Sequence, residues 1–303
     1  MKKDNIGLMS LIFATCLIIV MASFIFISRK DNTNETSQTS VVMQQKPLTP
    51  KQNVINKHSA KKDPIKPAAN GGVVPKKQVE KKKEIDNRFY IPILCYHCVS
   101  DKMWGDEVLF VSPKDFDEEM NYLKKNNYNA ITFNELPNAK KIKNPVLITF
   151  DDGYENNYTE AYPILKKYGF RATEFMVSNF INGGSMLKDS ELKAMSDIFD
   201  IQSHTVTHPN LSLLSTEQIE TELSESKKAL EKLTGKKVFA LAYPIGIFND
   251  ESVRIAKKYY SYAVLADGGR CNLDGNKYLM RRINVPRGTT IETFEKKMKG
   301  IRR

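Results

Sequence analysis

From residue 88 to the C-terminus, short apolar runs alternate with segments that have the polar–apolar period of a helix. Because a helix between two strands returns the chain to the start of the next strand, this alternation predicts a parallel sheet with its functional groups at the carboxyl ends of the strands. Roughly 215 residues are ample for a single hydrophobic core. The predicted strands cover residues 90–96, 130–133, 146–150, 172–177, 199–202, 238–242, 262–266 and 282–285.

Four helices are predicted between these strands, and capping signals mark where two of them begin. Ser112 precedes Pro113, and proline is favoured in the first turn of a helix. Ser215 begins a capping box that ends at Gln218. The predicted helices cover residues 113–125, 157–168, 215–233 and 250–260.

Two short segments carry residues that suit a metal site. The apolar run 146–150 ends in Asp151, Asp152 and Gly153, and about fifty residues later His204 and His208 stand at positions i and i+4. One carboxylate and two imidazoles form a metal site with open positions, and the second carboxylate is then free to act as a base. Each segment also has a simpler interpretation, a turn for the first and a helix cap or wet cleft for the second. Together they predict metal-assisted hydrolysis.

At these residues the chain resembles the polysaccharide deacetylases, the NodB-homology group of carbohydrate esterase family 4. Residues 149–153 match the first motif of that family, residues 204–208 match the second, and the resemblance extends over roughly residues 90–287. It implies an α/β fold, an irregular (β/α)7-type barrel. It also implies Asp151 as the catalytic base and Asp152, His204 and His208 as ligands of one divalent ion. Zinc is the expected ion, with cobalt, nickel, manganese or iron as alternatives.

The remaining family motifs match less evenly. Tyr243, Pro244 and Ile245 resemble the third motif, which lines the groove and offers a backbone N–H to the oxyanion, but the arginine that often precedes the proline is missing. Arg282 is a candidate to replace it in orienting the base. Tyr154 is a candidate for stacking on a sugar ring, as are Tyr243 and Trp104, with simple packing as the alternative for all three.

The usual C-terminal histidine that serves as the catalytic acid is also missing, because no histidine follows His208. In the biofilm-polysaccharide branch of the family, the acid histidine comes from an N-terminal strand, and residues 93–97 match that pattern with His97 at its end. The resemblance therefore implies de-N-acetylation of a poly-N-acetylglucosamine polymer, with release of acetate. A peptidoglycan or chitooligosaccharide deacetylase is the alternative substrate class. A protein with the same fold that binds glycans without catalysing any reaction is the alternative from another functional class. A glycoside hydrolase that uses Asp151 and Asp152 as acid and base is a further alternative, but adjacent carboxylates are too close together to flank a glycosidic bond, and this function would leave both histidines unused.

The first 88 residues predict an anchor and a spacer. An uncharged apolar stretch from Asn5 to Ser28 is long enough to span a bilayer, so residues 1–30 are interpreted as a signal anchor, with a cleaved signal peptide as the alternative. Residues 31–88 lack periodicity and predict a disordered basic linker, which leaves 89–303 as the catalytic domain. We expect a single-pass protein of the cell membrane with its catalytic domain on the cell-wall side, and a polysaccharide synthase as a possible partner.

The charge of the chain is concentrated in this N-terminal part. Up to residue 90 the chain holds 16 basic and 7 acidic residues, so this part carries +9 of the net charge of +11. Solvated lysines that keep a linker extended explain this charge better than binding to nucleic acid does. Cys95 and Cys98 form a C-x-x-C pattern, but no thioredoxin-like context surrounds it, and Cys95 is interpreted as a small apolar residue on a strand.

Overall fold

A computed structural model describes residues 88–300 of the chain. The predicted anchor, and all of the predicted linker except Arg88, lie outside the described residues. Between residues 88 and 300, no helix has both the length and the apolar character needed to cross a membrane.

Seven parallel strands close into a barrel. Around the ring their order is β2, β12, β10, β9, β8, β7 and β6, and β6 pairs with β2 to complete the circle. This closure confirms the predicted seven-stranded α/β barrel. The strands are β1 (Tyr90–Ile91), β2 (Ile93–Tyr96), β3 (Cys98–Val99), β4 (Phe110–Val111), β5 (Asn129–Ala130), β6 (Pro145–Asp152), β7 (Ala172–Met176), β8 (Phe199–Ser203), β9 (Ala240–Ala242), β10 (Tyr262–Gly268), β11 (Cys271–Asn272) and β12 (Met280–Asn284).

The longest strand, β6, shows how the barrel is filled. Val146, Ile148 and Phe150 pack in the hydrophobic cluster that lies between strands and helices, whereas Leu147 packs in a second, separate cluster. Because side chains alternate across a strand, Thr149 and Asp151 share the face of Leu147. Asp151 is therefore directed to the barrel interior at the carboxyl end of the strand.

Helices cover the strands. Ser112 caps the first of them by accepting from Asp115 N–H at 3.0 Å, and Ser215 caps the longest by accepting from Gln218 N–H at 3.3 Å. The α-helices are α1 (Pro113–Lys125), α2 (Tyr162–Tyr168), α3 (Asp189–Ala194), α4 (Thr216–Thr234), α5 (Asp250–Tyr259) and α6 (Ile291–Lys299). Short 3₁₀ turns cover Glu107–Leu109, Phe133–Lys141, Ser178–Phe180, Met195–Asp197, Leu211–Leu213 and Pro244–Gly246, and a π turn covers Asn157–Ala161.

Two sequence predictions need correction. The predicted strand 130–133 is wrong over most of its length, because the strand is Asn129–Ala130 and Phe133 already begins a 3₁₀ segment. The apolar Ile131 and Phe133 are buried for another reason, since they pack in the second hydrophobic cluster with Leu147 and Phe175. The predicted helix 157–168 begins as a π turn rather than as an α-helix.

Candidate active site

The predicted site residues meet at one end of the barrel. Asp151 and Asp152 are the last two residues of β6, His97 directly follows β2, and His204 directly follows β8. These strands are parallel, so their carboxyl ends lie on the same rim. Pro244 likewise begins the turn that follows β9.

Asp152, His204 and His208 have the geometry of a metal-binding group. Oδ1 of Asp152 lies 3.5 Å from Nε2 of His204 and 3.5 Å from Nε2 of His208. Donors bound tetrahedrally at about 2.1 Å from one ion stand about 3.4 Å apart, so a single divalent ion fits this set. Burial raises the pKa of Asp152 to about 6, so its carboxylate gains from a positive partner.

The two imidazoles are prepared to act as ligands. Nδ1 of His204 lies 2.8 Å from the carbonyl oxygen of Ala242, which makes Nδ1 the protonated nitrogen and leaves the Nε2 lone pair free. Burial lowers the pKa of His204 to about 4, and burial also lowers the pKa of His208. Both rings are therefore neutral near pH 7, as metal ligation requires.

Asp151 is paired with a buried arginine. Arg282 Nη1 donates to Oδ1 at 2.7 Å and Nη2 donates to Oδ2 at 2.6 Å, while Nε donates to the Leu265 carbonyl at 2.6 Å. Burial alone would raise the pKa of Asp151, but the Arg282 guanidinium and His204 hold it well below its usual range. Asp151 is thus ionised and fixed in orientation, and it is left out of the metal-binding group.

Unusual backbone angles concentrate at this rim. Asp152, Thr205, His208 and Ile245 have φ between 50° and 76°, whereas the other non-glycine residues with positive φ in the described chain are asparagines. Asparagine tolerates that region, but β-branched threonine and isoleucine do not, and each such residue costs about 1–3 kcal/mol. The surrounding structure must therefore hold these residues in place. Strained residues of this kind are concentrated at functional sites in proteins.

Gly153 completes the turn after β6. Its φ is +92°, and a Cβ atom there would lie 2.1 Å from the Met176 sulfur. The backbone angle favours glycine at this position, and any other residue would also require the Met176 side chain to move.

His97 lies beside Asp151. One ring nitrogen of His97, the sulfur of Cys95 and one oxygen of Asp151 all lie within 4.8 Å of one another. Cys95 is fully buried on β2 with its sulfur 3.7 Å from Oδ2 of Asp151, so it packs as predicted while also facing the carboxylate.

The three aromatic residues predicted as candidates for stacking on a sugar ring lie in different environments. Trp104 is 37% exposed and packs on buried Phe110, with ring centroids 4.9 Å apart. Tyr154 is half-buried, and the centroid of its ring lies 6.4 Å from that of Trp104. Tyr243 is only 1% exposed, so its ring packs against Phe248 and offers no surface for a sugar.

Several polar residues that support the site are marked by no motif in the sequence. Asn157 donates to the His97 carbonyl at 2.9 Å and to Oε2 of Glu174 at 3.1 Å, and both side chains are completely buried. Glu222 on α4 accepts from the loop between the two histidines. A polar residue inside the apolar run of β7 was a usable signal for Glu174, whereas Glu222 is indistinguishable from the other charged residues of a surface helix.

The chain is similar to known proteins over the part that forms the barrel. A profile of the polysaccharide deacetylase family matches residues 138–264. "Putative polysaccharide deacetylase YxkH" of Bacillus subtilis (strain 168) is 34% identical over 235 residues, which cover 72% of this chain and 83% of that protein. This chain belongs to the polysaccharide deacetylase family. It is therefore a hydrolase of carbohydrate esterase family 4, which hydrolyses N-acetyl amide bonds.

The chain is also similar to a second deacetylase in sequence and to a deacetylase of known structure. Poly-beta-1,6-N-acetyl-D-glucosamine N-deacetylase of Staphylococcus aureus (strain MRSA252) is 31% identical over 195 residues, which cover 58% of this chain and 67% of that protein. The crystal structure of BC0361, a polysaccharide deacetylase from Bacillus cereus, superposes with a TM-score of 0.67 at 36% identity, over 70% of this chain and 69% of that one. The deacetylase family is metal-dependent, and this chain has the group of side chains described above to hold an ion.

Proposed function

We propose that this protein is a metal-dependent N-deacetylase of a poly-β-1,6-N-acetylglucosamine polymer. The observation that carries the proposal is the position of His97. No histidine follows His208 in the chain, and the His97 ring lies within 4.8 Å of the Asp151 carboxylate. The similarity to the staphylococcal poly-N-acetylglucosamine deacetylase supports the same substrate class.

Asp152, His204 and His208 would hold the ion, with zinc as the expected metal. When bound, a divalent ion at this position would polarise the acetamide carbonyl and lower the pKa of a water molecule to near neutrality. The neutral imidazoles and the buried carboxylate match the nitrogen and oxygen ligands that zinc takes.

Each remaining group of the chain would move or stabilise charge at one atom. Asp151 would take the proton of the attacking water, with Arg282 keeping the carboxylate ionised and correctly oriented. His97, as an imidazolium, would protonate the nitrogen of the leaving glucosamine. The Ile245 N–H, in the turn after β9, would donate to the carbonyl oxygen as negative charge develops on it.

The substrate would extend from this centre along the rim. Tyr154 directly follows the turn at Gly153, and Trp104 packs beside it with part of its ring exposed. These two rings would contact sugar units next to the reacting one. Tyr243 would act only by supporting the turn that contains Pro244 and Ile245, because it is buried.

Acetate release from three substrates tests the proposal. The zinc-loaded protein is compared on β-1,6-linked N-acetylglucosamine oligomers, β-1,4-linked chitooligomers and peptidoglycan. We expect the highest kcat/KM on the β-1,6-linked oligomers. Higher values on either other substrate would assign the protein to the alternative deacetylase class. Glycan binding without acetate release from any of them would favour the inactive binding protein.

We also propose that the protein is anchored in the cell membrane by residues 1–30, with its catalytic domain on the cell-wall side. A polysaccharide synthase would then be a fitting partner, because newly made polymer emerges at the same surface. The full-length protein should fractionate with membranes and should be digested by protease added to cells without a wall. N-terminal sequencing that shows cleavage near Ala22 would contradict the anchor.

A further inference from the structure

The loop between the two metal-binding histidines has a strained backbone. Thr205 has φ of +71° and His208 has φ of +60°, and Thr205 is β-branched and completely buried. Each of these residues costs about 1–3 kcal/mol relative to an ordinary conformation. Other parts of the molecule must therefore supply contacts that hold the loop, since the loop alone would relax.

Backbone groups hold one side of this loop. Ser178 N–H donates to the Thr205 carbonyl at 3.1 Å, and Asn179 N–H donates to the Val206 carbonyl at 3.1 Å. These donors belong to the turn after β7. They bond to carbonyl oxygens of the loop, so the N–H groups of the loop need acceptors elsewhere.

Glu222 holds the other side with a single carboxylate. Its Oε2 accepts from Val206 N–H at 2.8 Å and from Thr207 N–H at 2.9 Å, and its Oε1 accepts from the Thr207 hydroxyl at 2.6 Å. Successive backbone N–H groups that converge on one anion form a strong, charge-assisted arrangement. Glu222 lies on α4, so it ties the loop to an element that packs on the barrel.

We propose that Glu222 is a positioning residue of the metal centre. By holding the N–H groups of Val206 and Thr207, it fixes the loop so that the Nε2 atoms of His204 and His208 both face Asp152. This inference rests on the proposed metal dependence. Outer contacts of this kind change metal affinity by about 10–100-fold in other metalloproteins.

Zinc affinity is the decisive measurement, with zinc alone as the probe. The full-length protein is stripped with a chelator, and its Kd for zinc is measured by competition with a chromogenic chelator. Glu222→Ala should bind zinc about 10–100-fold more weakly than the wild type. At saturating zinc its kcat should return to near the wild-type value, because every ligand and the base remain in place. A purely structural role for Glu222 would instead lower the unfolding temperature and leave the Kd of the folded fraction unchanged.

Glu225→Ala is the matched control, because Glu225 is on the same helix, its side chain is 54% exposed, and it pairs with Lys228 rather than with the histidine loop. It should leave the Kd for zinc unchanged. Glu222→Gln keeps an acceptor oxygen without the charge, so its Kd for zinc should lie between those of the wild type and Glu222→Ala. If the alanine variant does not fold, the Kd of Glu222→Gln tests the positioning role of Glu222.

The outcomes separate this inference from the proposed function. A wild type that binds zinc tightly, with the two Glu222 variants within twofold of it, would overturn the role of Glu222 alone. A wild type that binds no zinc would overturn both the metal dependence and this inference.

Discussion

Asp151 and Asp152 are neighbours in the chain, yet their environments give their carboxylates opposite properties. Arg282 donates to both oxygens of Asp151 and keeps its pKa low, whereas burial raises the pKa of Asp152 to about 6. Pairs of carboxylates whose pKa values are pushed apart in this way take different chemical roles. At the residue scale, these opposite properties agree with the roles proposed above, with Asp151 as the base and Asp152 as the ligand.

Asp151→Asn should keep bound metal and lose activity by about 10²–10⁴-fold, because the amide cannot take a proton while all three ligands remain. Asp152→Ala should instead lose the metal, since two histidines alone hold a divalent ion poorly. Metal content by elemental analysis and kcat by acetate release distinguish the two variants. Near-normal turnover in Asp151→Asn would show that the two roles are wrongly assigned.

His97→Ala should retain metal and fold but reduce kcat by about 10²–10⁴-fold, because no other histidine outside the metal-binding pair is present among residues 88–300 to protonate the leaving amine. The measurement is kcat together with bound zinc. The alternative is a structural histidine that packs beside Tyr96, and unchanged turnover in the variant would establish it.

At the scale of elements, the barrel strands are tied to their covering helices by polar as well as apolar contacts. Tyr96, the last residue of β2, donates its hydroxyl proton to Oε2 of Glu119 on α1 at 2.8 Å. Both side chains are buried, and burial raises the pKa of Glu119 from 4.5 to about 8. This contact joins the first barrel strand to the first helix, directly before His97.

The raised pKa of Glu119 predicts a dependence of stability on pH. Below pH 4.5 the carboxyl is protonated in both the folded and unfolded states. As the pH rises from 4.5 to 8, the unfolded state ionises first, so the free energy of unfolding falls, by up to roughly 4–5 kcal/mol from this group. Glu119→Gln keeps an acceptor for Tyr96 and should remove most of this slope.

Urea denaturation of the metal-free protein at several pH values between 4.5 and 8.5 checks this prediction. Glu225→Gln is the control, because the Glu225 side chain on α4 is 54% exposed and paired with Lys228, and it is not among the charged groups that act on Glu119. It should leave the slope unchanged. Equal slopes in the wild type and in Glu119→Gln would show that Glu119 is already ionised in the folded protein at neutral pH.

At the scale of the whole molecule, closure of the barrel joins distant parts of the chain. β2 near residue 95 pairs on one side with β6 and on the other with β12, so the first and last barrel strands are neighbours. A second contact between the two ends of the domain comes from β1, which pairs with β11 through Tyr90 and Ile91. β1 therefore ties Tyr90 and Ile91 to the far end of the described chain.

A protein truncated to residues 86–303 should fold and unfold cooperatively, because it keeps β1, β2 and every contact that closes the barrel. A protein truncated to residues 98–303 is the control and should not fold, since removing β2 opens the ring between β6 and β12. Thermal unfolding followed by circular dichroism checks both. A non-cooperative transition in the longer protein would move the domain boundary towards the N-terminus.

The predicted secondary structure agrees best with the structure where the local signal is strong. Ser112 with Pro113, and Ser215 with Gln218, mark helix starts that the structure reproduces, because a cap depends on residues close in sequence. The strand predicted at 130–133 is wrong because burial of Ile131 and Phe133 comes from packing and not from sheet pairing. Helix α3 has only six residues, too few for a periodic pattern to be recognised.

The sequence alone determined the strand ends that carry Asp151, Asp152, His204 and His97, because an apolar run followed by polar residues is a local pattern. The tertiary structure decided which groups meet there. Arg282 reaches Asp151 from 131 positions away only because β12 lies beside β2 in the ring, and Glu222 reaches the histidine loop only because α4 packs next to β8. Strand order and register set these meetings, and a shift of one residue would turn Arg282 out of the barrel.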